Sequence, residues 1–217
     1  MNPKIKIIIF PLGFAAVLFS SAGRFDLLFA WAYAIIFGIS IIVSHFTIDP
    51  GLRRERLVPG PGDKDMLTRR LILPLILIHW LIAGLDIGRF HWSDNIPSWV
   101  QAVCISGTAV FLGLSYWAIR VNRFFSPALR IQQERGHHLI TDGPYKYIRH
   151  PGYASGIFSL LLGGLALGSR WAMLPICACI VVIVRRAIIE DRFLQQNLDG
   201  YMEYSQKVPY RLIPHVW

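Results

Sequence analysis

Two groups of polar residues stand beside apolar runs in this chain, and both could do chemistry. The first is His137-His138-Leu139-Ile140-Thr141-Asp142-Gly143-Pro144-Tyr145, followed by Lys146-Tyr147-Ile148 and Arg149-His150-Pro151-Gly152-Tyr153. Three histidines, three tyrosines and an arginine fall within these 17 residues. Gly143-Pro144 marks a turn. Pro151 suits the first turn of a following helix, where its missing N–H costs little. Such a helix start offers free backbone N–H groups and a positive dipole end, and Arg149 and His150 beside it make the place suited to an anion or a carboxylate. The plainer reading is a basic interfacial loop with an aromatic belt. A three-histidine metal site is disfavoured, because His137 and His138 are adjacent and no Asp or Glu stands at helical spacing nearby.

The second group lies at the end of the last apolar run. Arg186 and Glu190 stand at i and i+4 and share one helix face. Asp191 lies about 100° round from Glu190. An exposed pair of this kind is a silent salt bridge worth a few tenths of a kcal/mol. Here Ala187-Ile188-Ile189 continues the apolar face, so a partly sheltered Glu190 is expected. Asp199-Gly200-Tyr201-Met202-Glu203-Tyr204 should end the helix and begin a polar tail that turns at Pro209. Together the two groups would form a cavity with donors for a carboxylate, an acid for hydroxyls or an amine, and tyrosines for an aromatic or cationic surface. That set suits a zwitterionic, partly aromatic metabolite.

The elements that must position these residues are membrane helices. Of 217 residues 54% are hydrophobic and 16% charged, and mean hydropathy is +0.45. An ordinary soluble domain carries roughly 25% charge. Soluble, disordered, collagenous and disulfide-scaffold classes are thereby excluded. A spanning helix needs about 20 apolar residues. The candidates are 5–22, 27–48, 71–85 (short before Asp86), 99–119, 153–168 and 171–184. The last two are separated only by Ser169-Arg170 and read as a tight hairpin, the sixth reaching full length if Arg185 and Arg186 snorkel. Lys4 and Lys6 precede a run followed by several others, so it reads as an anchor and not a cleavable signal.

The net charge of +9 is first a topology signal. Nineteen of the 22 Lys and Arg fall in the N-terminus, the 49–70 and 120–150 connections and the C-terminal segment. Arg24, Arg89 and Arg170 stand alone in the other three connections. The expectation is six crossings, with five less consistent with that parity, and both termini and both polar groups in the cytoplasm. A nucleic-acid partner is not called for. Cys104, Cys177 and Cys179 are expected to pack among apolar residues, the latter two pointing to different faces and making a poor metal pair. The spacings Gly152-x-x-x-Gly156 and Gly164-x-x-x-Gly168 are expected to pack helices closely. The 49–65 connection is a Pro- and Gly-rich surface loop, so one membrane domain over 1–217 is expected: unassigned helices over 1–115 and a functional core over 116–217.

At these residues the chain resembles the isoprenylcysteine carboxyl methyltransferase and phospholipid methyltransferase superfamily. The pattern is His-x-Leu-(Val/Ile)-Thr-x-Gly-x-Tyr, Arg-His-Pro-x-Tyr, Arg-x-x-x-Glu-(Glu/Asp), Gly-x-Tyr-x-x-Tyr and a Pro-x-Arg-like tail. Here it reads His137–Tyr145, Arg149–Tyr153, Arg186–Asp191, Gly200–Tyr204 and Pro209–Pro214. The resemblance covers the last 100 residues or so. It implies an all-α polytopic membrane bundle of five to six transmembrane helices, whose C-terminal helical hairpin encloses a cofactor pocket. It implies S-adenosylmethionine as methyl donor without a Rossmann domain, in agreement with the missing Gly-x-Gly-x-x-Gly element. Carried over by position, the cofactor site is His137, His138, Leu139, Ile140, Tyr145, His150, Pro151, Gly152, Tyr153 and Glu190, with Arg186 facing the methyl acceptor and no metal. Asp191 stands where the family often has a second Glu. The acceptor is expected to be a lipophilic or lipidated molecule entering sideways from the bilayer, either an isoprenylcysteine-like carboxylate or a phospholipid amine. The rivals are an NADPH-dependent reductase of sterol-reductase type and a small transporter built on the Arg186–Glu190 pair.

Overall fold

The computed structural model describes residues 3–217, with side chains from Ile9 onward. Lys4 and Lys6, counted above among the basic connections, lie outside the residues whose side chains are described. The elements are α1 (Pro3–Ala22), α2 (Leu28–Thr47), α3 (Pro50–Leu57), α4 (Met66–Leu85), α5 (Ser98–Val121), α6 (Pro151–Leu167), α7 (Met173–Asn197) and α8 (Tyr201–Lys207), with no strand among the described residues. The chain is an all-α integral membrane bundle. Leu28–Thr47, Met66–Phe90 and Ser98–Val121 are long and apolar enough to cross a bilayer, and Ile9–Ala22 and Pro151–Leu167 are shorter apolar helices.

Two boundaries differ from the sequence expectation for physical reasons. The third apolar run starts at Met66, five residues early, because Asp65 caps it: its carboxylate accepts from the Thr68 hydroxyl at 2.6 Å and the Thr68 backbone N–H at 3.5 Å. It also continues past Asp86 in a π-turn, Asp86–Phe90. The sixth run does not stop at Val184. α7 has 25 residues, about 37 Å at 1.5 Å per residue, against roughly 30 Å of hydrocarbon. Arg185, Arg186 and Glu190 therefore ride on an unbroken helix, beyond the end of its apolar stretch. Two short helices were not anticipated: α3, capped by Asp49 with Pro50 at its first turn, and α8, which replaces the expected polar tail after Gly200 (φ +77°).

α5 packs along α6, α1 against α4, and α4 against α7. The main core lies between α1, α2, α4 and α6, around Phe14, Leu18, Tyr33, Trp80 and Ala83. A Cβ on Gly84 would collide with the Ser21 hydroxyl and the Leu18 carbonyl, so α1 and α4 nearly touch there. Cys104 and Cys179 are buried as expected. Cys177 is not: it faces outward, where a small apolar side chain meets lipid without penalty.

The connections gather at two ends. At one, Asp86 is wholly buried. Its carboxylate accepts from Ser169 at 2.5 Å and Ser93 at 2.7 Å, and Arg89 donates to the Ser21 carbonyl at 2.7 Å. At the other end the 48–65, 122–150 and 198–217 segments interlock, and both polar groups singled out above lie there.

Candidate active site

The 122–150 connection has little regular structure, yet buried side chains fix its path. Gln132 is fully buried and donates to the Phe124 carbonyl at 2.8 Å. The Phe124 ring then stacks on His137 at 4.4 Å and meets His138 edge-on at 5.0 Å. The Gln132 N–H donates to His137 Nδ1 at 3.2 Å, which leaves Nε2 to carry the proton of the neutral ring. Burial, followed by the neighbouring His138, lowers the His137 pKa to about 4. His138 stands outside that shelter, its Nδ1 2.9 Å from the Gly136 carbonyl.

After the turn at Gly143 (φ +58°) the chain buries Tyr145. Burial pushes its hydroxyl above the ordinary tyrosine range. Its carbonyl accepts from Tyr204 of α8 at 2.7 Å. Tyr201 and Tyr204 are buried in turn, with hydroxyls pushed up chiefly by desolvation.

Asp191 organises this end. It has no exposed surface, and it accepts from Arg149 at 2.7 and 3.0 Å, Arg211 at 3.0 Å and Tyr201 at 3.0 Å. The Arg149 guanidinium also donates to the Val208 carbonyl at 2.6 Å. Most of the Arg149 donors are thereby spent on Asp191 and the tail, so the residue borders the cleft as a cation already paired. One carboxylate ties α7 to the start of α6, to α8 and to the C-terminal segment.

One residue earlier, Glu190 serves a different place. Its Oε2 accepts from the Tyr153 hydroxyl at 2.6 Å and from Arg186 Nε at 2.9 Å, and its side chain keeps 21% exposure. The partial shelter read from the sequence is present. Arg186 is buried, and its Nη1 lies 3.5 Å from Asp65 Oδ2. Asp65 also accepts from Arg185 at 2.8 Å. Burial would raise the Asp65 carboxyl, but the bonds from Arg185 and Thr68 and the charge of Arg186 outweigh it and hold the pKa low. Asp65 is the residue that sequence reasoning missed. Asp65-x-x-Thr68 before an apolar run is a helix-start signature, but nothing local points to α7, 120 positions on.

Two cavities meet at this seam. A narrow cleft of about 40 Å³ is lined by His137, His138, Leu139, Ile140, Tyr145, His150 and Glu190, together with Phe125, Arg149 and, from α7 and α8, Leu194, Leu198, Tyr201 and Tyr204. Seven of the residues carried over for the cofactor thus converge. The other three do not line the cleft. Gly152 and Tyr153 line the second cavity with Arg186, and Pro151, buried at the first turn of α6, faces an apolar groove on the outer side. The second cavity is an apolar groove of about 340 Å³ between α4, α5, α6 and α7, walled by Ile72, Leu73, Ile119, Phe125 and Ile183. A Cβ on Gly152 would strike the Phe125 ring, whereas one on Gly156 would meet open space. Gly152 therefore packs closely as expected, and Gly156 instead keeps the groove floor clear.

A small zwitterion with an aromatic part fits the chemistry of the cleft. His150 Nε2 is buried and has no hydrogen-bond partner, lying 3.4 Å from Asp191 without suitable geometry. Glu190 is a half-sheltered acid, and Leu139, Leu194 and Leu198 give an apolar wall. The volume is another matter, since small-molecule sites run to roughly 300–1,000 Å³. Among the described residues no three His, Cys, Asp or Glu side chains come together as a metal group.

Residues 97–199 match the family model described as phospholipid methyltransferase. The cobalt-zinc-cadmium resistance protein CzcN of Cupriavidus metallidurans is 30% identical over 68% of this chain and 65% of its own length. Protein-S-isoprenylcysteine O-methyltransferase B of Arabidopsis thaliana is 32% identical over 42% of this chain and 47% of its own. A Delta(14)-sterol reductase of Methylotuvimicrobium alcaliphilum is 24% identical over 58% of this chain but only 33% of its own. The chain thus spans less than two thirds of each of these relatives. A solved structure of the eukaryotic intramembrane Ras methyltransferase, isoprenylcysteine carboxyl methyltransferase, shares the fold: TM-score 0.55 at 18% identity, over the whole of this chain and 88% of that one.

Proposed function

We propose that this chain, whose residues 97–199 match the phospholipid methyltransferase family model and whose fold is shared with the isoprenylcysteine carboxyl methyltransferase structure, moves a methyl group from S-adenosylmethionine to a lipophilic acceptor at the cytoplasmic face of the membrane. The observation that carries this reading is the seam itself. A polar cleft and an apolar groove open on opposite sides of one hydrogen-bonded trio: Glu190, Tyr153 and Arg186.

His137, His138, Leu139, Ile140, Tyr145, His150 and Glu190 would hold the donor. His150 Nε2 suits its carboxylate, Glu190 its ribose hydroxyls or amino group, and the tyrosines and leucines its adenosyl part and sulfonium. When bound, the donor supplies an electrophilic methyl group. The chain's own work is to hold the acceptor in line and dry at a separation of about 3–3.5 Å. Arg186, gripped by Glu190 and Asp65, presents its guanidinium to the polar end of an acceptor whose apolar part lies along Ile72, Leu73 and Ile183. A carboxylate or thiolate acceptor needs no proton removed. An amine would have to pass one to a neighbour, and the Tyr153–Glu190 pair is then the acid–base group in reach.

Two experiments test the reading. Transfer of radiolabelled methyl from S-adenosylmethionine into a membrane extract, followed by identification of the labelled molecule, should give a labelled lipid or lipidated peptide. Calorimetry with S-adenosylhomocysteine and with NADPH separates this reading from a reductase: binding of NADPH alone would contradict it.

A further inference from the structure

A further pocket, of about 270 Å³, largely apolar with a basic end, lies between α2, α3 and α5, separate from the donor cleft. α3 is built to serve it. Asp49 caps the helix, and the inward face carries Leu52 and Glu55, both buried, with Glu55 clamped by Arg130 at 2.7 and 3.0 Å. The only acid of α3 is thereby turned away from the pocket. Arg53 and Arg56, three residues apart and so on one face, line it instead.

Neither guanidinium has a carboxylate partner among the described residues. Arg53 donates to the His45 carbonyl at 3.2 Å, and Arg56 to the Phe125 carbonyl at 3.3 Å while lying 5.5 Å from the Phe125 ring centre. Arg120 adds a third cation through Tyr116, whose hydroxyl accepts from it at 3.0 Å. Ser44 and Tyr116 supply hydroxyls beside the arginines, and Ile41 and Leu112 form the wall one to two turns deeper along the membrane helices α2 and α5. Two unpaired guanidiniums at the basic end, above an apolar slot along bilayer-crossing helices, complement a phosphate that carries an acyl chain.

We propose that this pocket binds an anionic membrane phospholipid, its phosphate between Arg53 and Arg56 and one acyl chain along Ile41 and Leu112. The bound lipid is not the methyl acceptor. Arg53 does not line the groove beside Arg186, although Arg56, Ser115 and Ile119 are shared by both cavities. Through that shared wall the lipid would border the acceptor's path.

Native mass spectrometry of the full chain in detergent tests this, with phosphatidylglycerol and phosphatidylcholine offered at equal concentration. Phosphatidylglycerol has no amine to methylate, so its retention is independent of the proposed reaction. It should be retained roughly thirtyfold better than phosphatidylcholine, the order expected for two arginines near an anionic lipid. Arg53→Gln should cut the preference roughly fivefold, the share of one arginine, and Arg53→Lys should restore part of it. Arg54→Gln, on the same helix but outside the pocket, should leave it intact. Equal retention of the two lipids would overturn the proposal, as would a loss in Arg54→Gln equal to that in Arg53→Gln, which would mean diffuse interfacial charge. Displacement of the lipid by millimolar inorganic phosphate alone would show an anion site without a lipid component and would also overturn it. Unchanged helicity by circular dichroism keeps the Arg53→Gln result from being read as misfolding.

Discussion

Glu190 and Asp191 are neighbours on α7, and the two regions they serve behave oppositely. Asp191 has no exposed surface and four hydrogen-bonding contacts from two arginines and a tyrosine. Glu190 keeps a fifth of its surface, shares one oxygen between Tyr153 and Arg186, and borders the cleft. A carboxylate whose every lone pair is taken can hold a fold together but has nothing left for a ligand. A carboxylate with spare capacity at a cavity edge can do the reverse. A rotation of about 100° between consecutive helical residues is enough to separate the two roles.

The largest effect expected from breaking this contrast is on stability. Asp191→Asn leaves the buried Arg149, and the partly exposed Arg211, facing a neutral amide, and removing one partner of a buried pair costs about 3–5 kcal/mol. Unfolding in detergent should show that loss, whereas Glu190→Gln should stay within about 1 kcal/mol of the parent, as partly exposed pairs do. Equal losses would dissolve the distinction. Next in size, Arg186→Ala should lower methyl transfer on the order of a hundredfold, through acceptor misplacement, while leaving S-adenosylhomocysteine affinity within about twofold. A parallel loss of affinity would move Arg186 to the donor's side.

Smaller effects sharpen the picture. Thr68→Val removes a capping bond to Asp65 and should cost about 1 kcal/mol, and it should also loosen Arg185 and Arg186 on α7. Smallest is a pH effect at His137. Its pKa is lowered from 6.5 to about 4 in the fold, so the unfolded chain binds more protons between those values. The stability it contributes is complete above pH 6.5 and is lost as the pH falls toward 4. His137→Asn should flatten the stability curve across that window, and an unchanged slope would place the ring in water.

Much of the architecture was legible in the residues. Runs of apolar side chains gave the spans, the basic residues marked the end where the site lies, and the i, i+4 spacing gave the Arg186–Glu190 contact. What could not be read was long-range pairing. Asp65 to Arg185 and Arg186, Glu55 to Arg130, and Arg149 to Asp191 join residues 42 to 121 positions apart, and no local pattern specifies such partners. Arg149 shows the cost: from the sequence it resembles a ligand-binding cation, and only its enclosure by Asp191 and Val208 shows that most of its donors are used. The short helices α3 and α8 lack the length for a periodic signal, although Asp49-Pro50 was a usable start mark for α3.

Methyl transfer by this chain depends on the cleft beside Glu190 binding the methyl donor. Calorimetry with S-adenosylhomocysteine on the parent chain and on Glu190→Ala, His150→Ala and Arg186→Ala tests this most directly. The prediction is clear binding to the parent, at least tenfold weaker binding to the first two variants, about 1.4 kcal/mol or more, and near-parental affinity in the third. Equal affinity across all four proteins, or none in the parent, would contradict it.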